Sequence, residues 1–283
     1  MSQYHIVHII PDQRLHILNG YNDVIKTIIW GLRCHGHEVT YAVNMPRLDA
    51  RNIVFGANMA LRQVLDLLPS DTVIYNLEQV AGMVLGEAMK GRLLDLSNRF
   101  EIWDYSELNI LGWQTLNEHC VVKHVPIGFA PIISTIEKPP EQDIDALIYG
   151  GPGDNRIRIF TDLCMQGATT LYCFGLYDKA RDDLIARSKL VLNISHSISN
   201  VFSIVRTSYL LANRKAVIAD TKPAMVIESD LIGALKFTDL DSFVDVCIHY
   251  INDDAAREKL EEDGFEIFKK RDIRAILAPA LNG

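Results

Sequence analysis

Polar residues crowd one short stretch of this chain: Asn193, His196, Ser197, Ser199, Asn200, Ser203 and Arg206 all fall within LVLNISHSISNVFSIVR. The apolar run 190–194 has the length of a strand, and a helical stripe follows through Val201, Ile204, Val205, Ser208 and Leu211. The polar residues therefore sit where a strand hands over to a helix, beside unpaired backbone N–H groups and the positive end of the helix dipole. Such a place holds an anion, commonly a phosphate. An arginine in the first turns of a helix opposes the dipole, so Arg206 points to an anionic partner. Earlier in the chain, the turn Gly150-Gly151-Pro152-Gly153 precedes Arg156 and Arg158, while Gly175, Arg181 and Lys189 belong to the next unit. Arg156, Arg206 and the amides after Asn200 are the first choices for phosphate contact. Gly150, Gly151, Gly175, Arg181, Asn193, His196 and Ser203 complete the candidate set. Asp104, at the carboxyl end of an apolar strand, is the leading candidate for a general base, followed by His16 and Glu78. Each also has an ordinary explanation, as a helix cap, a loop histidine or a turn brace respectively. No carboxylate cluster suggests a bound metal, and none is expected.

These groups must be positioned by the elements around them. Strands are expected at residues 4–10, 38–43, 72–77, 99–103 and 121–125, with helices at 23–35, 57–67, 83–96 and 107–117 between them. Asn22 or Asp23 would cap the first helix. A break without periodicity, STIEKPPEQD at 134–143, reads as a linker. The pattern then restarts with strands at 144–149, 169–174, 190–194 and 216–219, and helices at 155–166, 179–188 and from 201, where Asn213 is expected to close the last helix in the left-handed conformation. A short strand near 234–237, a helix at 240–252 and a charged helical tail from 254 follow. Alternation of strand and helix implies a parallel, doubly wound α/β sheet in each half, with ligands at the carboxyl ends of the strands. The expected organisation is a Rossmann-like domain at 1–135, a second Rossmann-like domain at 143–253 facing it across a cleft, and a helical tail at 254–283.

Composition narrows the class. The chain has 283 residues, of which 48% are apolar and 23% charged, with a formal charge of -8. That balance suits an ordinary soluble globular protein and weighs against wholesale attraction to nucleic acid. The cysteines are odd in number and scattered with no C-x-x-C, as reduced thiols would be. No apolar run is long enough to span a bilayer, and MSQYHIVHIIPDQ lacks the features of a signal peptide, so a cytoplasmic location is expected.

Arg33-Cys34-His35-Gly36-His37-Glu38-Val39 resembles the Leu-x-x-x-Gly-His-x-Val signature of the N-terminal domain in GT-B fold glycosyltransferases. The stretch from Phe202 to Arg206 and on through Ala212 to Ala219 is similar to the donor-binding helix and following strand of that fold. The ordered series Tyr75-Asn76-Leu77-Glu78-Gln79, Trp103-Asp104-Tyr105-Ser106, Val125-Pro126-Ile127-Gly128-Phe129, Tyr149-Gly150, Asn155-Arg156, Phe174-Gly175, Arg181-Asp182 and 188–193 resembles small bacterial and phage members of the group, over roughly residues 1–225. The resemblance implies a nucleotide-sugar co-substrate, no tightly bound cofactor, and a hydroxyl acceptor such as a surface glycan. It makes 1–135 the acceptor domain and 143–253 the donor domain, and returns the tail at 254–283 to the first. It also has a departure: where many retaining members carry two glutamates eight positions apart, this chain has Asn200 and Ser208. Three alternatives stand beside it: a phage-type enzyme acting on a modified DNA base, a non-catalytic nucleotide- or sugar-binding protein, and another two-domain enzyme such as a sugar epimerase. A dinucleotide enzyme is disfavoured because no G-x-G-x-x-G follows the first strand.

Overall fold

The computed structural model describes residues 2–10, 20–81, 86–195, 201–223 and 225–282. The chain divides into two compact units, one comprising Met1–Gly128 with Asp272–Gly283, the other Phe129–Arg271.

The first unit contains β1 (Gln3–His8), α1 (Asn22–Cys34), β2 (Glu38–Val43), β3 (Arg51–Phe55), α2 (Arg62–Asp66), β4 (Val73–Asn76), α3 (Glu87–Arg99), β5 (Glu101–Asp104), α4 (Glu107–Leu116) and β6 (Val122–His124). Its six strands are parallel, in the order β2-β1-β3-β4-β5-β6. Central strands covered on both faces need near-continuous apolar runs, and Ile6, Val7, Ile53, Val54 and Val73 are all fully buried. β3 is absent from the sequence expectation, although it pairs with both β1 and β4. Its apolar run is only Ile53-Val54-Phe55, too short to signal a strand alone. The helix expected at 57–67 is a 3-10 turn at Ala57–Met59 and the short α2, because Ala60 and Leu61 are extended between them. Helix α1 starts after Tyr21, with no side-chain cap from Asn22 or Asp23. It buries Val24, Ile25, Ile28 and Leu32.

The second unit contains β7 (Ile144–Tyr149), α5 (Asp154–Met165), β8 (Thr170–Cys173), α6 (Asp178–Arg187), β9 (Ser188–Asn193), α7 (Ile204–Ala212), β10 (Ala216–Asp220), β11 (Lys236–Thr238), α8 (Phe243–Asn252) and α9 (Asp254–Lys269). Its five strands run β11-β10-β9-β7-β8, again parallel. A core of Ile148, Ile159, Leu163, Leu190, Leu192, Ile218 and Phe243 lies against this sheet.

Helix α7 begins at Ile204, three residues after the start of its apolar stripe. Val201 forms an isolated parallel bridge with Val226, and the Phe202 ring packs on Phe237 with centroids 5.3 Å apart. Those two apolar residues are buried from an extended backbone. At the other end Asn213 has φ -109°, and the left-handed residue is Arg214 at φ 50°. The Asn213 side chain is occupied otherwise: its Oδ1 accepts from the Thr135 and Ile136 amides at 2.7 and 2.8 Å, and its Nδ2 donates to the carbonyls of Ile133 and Tyr209, each at 2.8 Å. These bonds hold the beginning of the proline-rich stretch on the second unit, whose boundary lies upstream of it after Gly128. The tail is shared between the units. α9 belongs to the second, whereas α10 (Ile273–Asn282) returns to the first and packs on α1. Gly31 permits that contact, since a Cβ there would lie 2.7 Å from Leu277 Cδ1.

Candidate functional site

The Gly150-Gly151 turn leaves β7 at its carboxyl end with Gly150 at φ 128°, a conformation that L side chains avoid. Two guanidiniums converge on it. A Cβ on Gly150 would lie 2.8 Å from Arg206 Nη2 and 3.2 Å from Arg156 Nη1. Arg156, projecting from α5, is 5% exposed. It donates from Nε to the Ile194 carbonyl at 2.8 Å and from Nη1 to the Gly151 carbonyl at 2.6 Å. Arg206, in the first turn of α7, donates to Asn193 Oδ1 at 3.2 Å and lies over the Tyr149 ring at 5.1 Å. Asn193 is the buried last residue of β9. Burial first, and the neighbouring Arg206 charge second, pull Arg156 below the usual arginine value. Among the described residues every hydrogen-bond partner of the two guanidiniums is neutral.

The structure thus brings together Gly150, Gly151, Arg156, Asn193 and Arg206 from the ends of two adjacent strands and the helices that follow. Ser203 stands at the N-cap of α7 and makes no side-chain cap bond. Arg181 is engaged elsewhere, stacked 4.1 Å over Tyr209 and bonded to Asp182 at 2.9 Å. The Tyr177 hydroxyl, raised above its usual value by burial, feels the charges of both Arg206 and Arg181. Gly175 is exposed at φ 75° just beyond β8. Arg158 is also exposed and pairs with Asp162 on its own helix. Ser208 is buried and donates to the Val205 carbonyl at 3.1 Å. His16, His196 and Asn200 lie outside the described residues.

Sequence reasoning missed Asp220, the buried last residue of β10. Its Oδ1 accepts from the Ser195 amide at 2.7 Å and from Ser195 Oγ at 2.8 Å, and its charge reaches Arg156. Arg156 and Asp220 therefore hold Ile194 and Ser195, the last described residues before the polar loop, by opposite charges. Tyr149 and Tyr172 were missed as well; the latter donates to the Gly151 carbonyl at 3.0 Å. A position at or next to the end of a strand was the signal available for each.

In the first unit, Asp104 closes β5 with no exposed surface. Its Oδ1 accepts from the Ser106 amide at 2.9 Å and Asn109 Nδ2 at 3.1 Å, and its Oδ2 from Asn76 Nδ2 at 2.7 Å and Trp113 Nε1 at 2.8 Å. Burial raises its carboxyl to about 6 against these four donors, which favour the anion. So enclosed, the carboxylate organises the segment after β4. Asn76 and Asn109 both donate to the Glu78 carbonyl, at 2.8 and 2.9 Å, and Asn109 Oδ1 accepts from the Val80 and Ala81 amides. Glu78 itself is exposed and accepts from the Tyr21 hydroxyl. Burial, and then the Glu78 charge, hold that hydroxyl well above its usual value. Tyr21, Gly56, Asn58, Asn76 and Glu78 line a recess beside the strand ends. Among the described residues no three His, Cys, Asp or Glu side chains gather as a metal site would require, and no helix is long and apolar enough to cross a membrane.

No family model matches the sequence, and no curated protein matches it. Solved structures do match in fold. Anabaena HepE, crystallised with UDP and glucose, superposes with a TM-score of 0.66 at 11% identity over the whole of both chains. WaaG, a glycosyltransferase involved in lipopolysaccharide biosynthesis, gives 0.59 at 9% identity, covering 100% of this chain and 99% of its own. The DNA modifying enzyme beta-glucosyltransferase gives 0.58 at 12% identity, covering 99% and 100% respectively. The two parallel α/β sheets are those of the GT-B fold.

Proposed function

We propose that this protein is a glycosyltransferase that takes its sugar from a nucleotide-sugar and hands it to a hydroxyl acceptor. The observation that carries the reading is the convergence of Arg156 and Arg206 on the Gly150 turn, with hydrogen-bond partners that are all neutral among the described residues. Two like charges held together repel, and a diphosphate between them removes that cost while accepting charge-assisted bonds. As the glycosidic bond to the donor breaks, negative charge grows on the leaving phosphate. Fixed guanidiniums and the amides at the start of α7 stabilise that charge without reorganising. Asn193 orients Arg206, and the Ile194 and Gly151 carbonyls orient Arg156, so both are set before the donor arrives.

On the acceptor side we place Glu78 ahead of Asp104 as general base, because Glu78 is exposed and Asp104 is not. Glu78 is an exposed carboxylate at the carboxyl end of a strand, held by Tyr21 and by the Asp104-centred network behind it. The acceptor class is a glycan or a related hydroxyl compound. A DNA acceptor is weighed down by the net charge of -8.

The test is a thermal-shift screen of the purified protein against UDP, GDP, CMP, TDP and ADP and their sugar conjugates, followed by an assay for release of sugar from whichever conjugate binds. One nucleotide family is expected to raise the melting temperature, and Arg206→Ala to abolish the rise. A protein that no nucleotide stabilises would sink the reading. Binding without sugar release or transfer would favour a non-catalytic binding protein.

A further inference from the structure

We infer that Phe174 is the platform on which the nucleobase of the donor stacks, an inference that rests on the donor-site reading above. Phe174 is 64% exposed, the one phenylalanine or tryptophan so exposed among the described residues. It follows β8, the edge strand of the second sheet, and precedes Gly175 at φ 75°. With 64% of its surface exposed, the ring is open to a ligand. It also stands beside the glycine turn: a Cβ on Gly151 would be 3.9 Å from Phe174 Cε2.

That turn is the one the arginines grip. The Gly151 carbonyl accepts from both Arg156 and Tyr172, and Arg206 closes over Gly150 next door. An exposed aromatic plane and a pair of guanidiniums thus flank the same two residues. Inorganic phosphate or pyrophosphate would use only the cations. A ligand with an anionic end and a planar aromatic end uses both, and a nucleoside diphosphate has this chemistry. Every base has a π-face, so stacking on phenylalanine adds affinity without requiring a particular hydrogen-bonding edge. It also gives the exposed ring an apolar cover that water does not. Phe174, just beyond the end of β8, then supplies the aromatic face for the base.

The test measures binding by calorimetry on the full chain, using UDP, GDP, ADP and pyrophosphate as probes, for the wild type, Phe174→Ala and Phe174→Trp. Because the ring is exposed, both variants should melt as the wild type does. The alanine variant is expected to bind the preferred nucleoside diphosphate about tenfold or more weakly, to bind pyrophosphate unchanged, and to be rescued by tryptophan. Unaltered nucleotide affinity in Phe174→Ala, or an equal loss for pyrophosphate, overturns the inference while leaving the donor site standing. A change in oligomeric state with no change in nucleotide affinity would assign the ring to a protein contact instead, and so also overturns it. If the wild type binds none of the four probes, the donor-site reading falls and takes this inference with it.

Discussion

Buried charge is handled in opposite ways in the two units. Asp104 in the first has both carboxylate oxygens met by donors from Ser106, Asn109, Asn76 and Trp113. Arg156 and Arg206 in the second converge on a glycine, and among the described residues their hydrogen-bond partners are neutral. Both clusters stand at the carboxyl ends of parallel strands, where this class of sheet binds ligands. Position alone therefore does not separate a functional group from a structural one; the state of its partners does. A charge whose bonding capacity is used up within the protein organises backbone, as Asp104 does for residues 78–81. A like-charged pair with neutral partners gains most from an ion of opposite sign.

Breaking the first cluster should give the largest effect. In Asp104→Asn an amide NH2 must face two of the four donors, so unfolding by urea should show a loss of about 3 kcal/mol. A loss below about 0.5 kcal/mol would mean that the network is not structural. Arg206→Ala should act in the opposite sense. It is expected to weaken nucleoside diphosphate binding about 10- to 100-fold, the size of a lost charged hydrogen bond, while the melting temperature of the free protein stays level or rises as Arg156 loses its repelling neighbour. A variant that binds normally would erase the distinction between the clusters. Gly150→Ala sharpens it further. Its Cβ would stand 2.8 Å from Arg206 Nη2 at a φ of 128°, so a shifted guanidinium should cost about fivefold in affinity, together with some stability from backbone strain.

The smallest effect is a pH dependence, and its sign is set by burial. The Asp104 carboxyl is raised to about 6, so the folded state holds its proton where the unfolded chain has released it. Its contribution to stability is greatest at acid pH and declines as pH rises through 6, by about 1 kcal/mol between pH 5 and 7. Carbon-detected NMR titration of the Asp104 carboxyl should show its midpoint near 6. A midpoint in the ordinary aspartate range would show that the four donors outweigh burial.

The α/β class was legible because it rests on local signals. Residues 38–43 and 144–149 are strands at the expected boundaries, since apolar runs bounded by polar turns carry their own information. β3 was not legible, because a three-residue apolar run is made a strand only by the neighbours on either side of it. The start of α7 was misplaced for a related reason. Val201 satisfies a helical period, but it pairs with Val226, about 25 residues further on, and the next residue, Phe202, packs on Phe237, about 35 residues further on. Asn213 looked like a left-handed helix end until its side chain was found to bond Ile133, Thr135 and Ile136, far away in sequence.

The sequence by itself placed most of the strands and the turns that follow them, and so named Gly150, Arg156, Asn193, Arg206, Glu78 and Asp104 as candidates, because the alternation of strand and helix gathers such turns at one end of a parallel sheet. Only the tertiary structure showed how each is held. It buried Asp104 among four donors, tied Arg181 to Asp182 and Tyr209, and brought Arg156 and Arg206 together with hydrogen-bond partners that are neutral among the described residues. The physical reason is that a side chain's burial and the sign of its neighbours are sums over residues from several strands and helices, and no local stretch of sequence contains that sum.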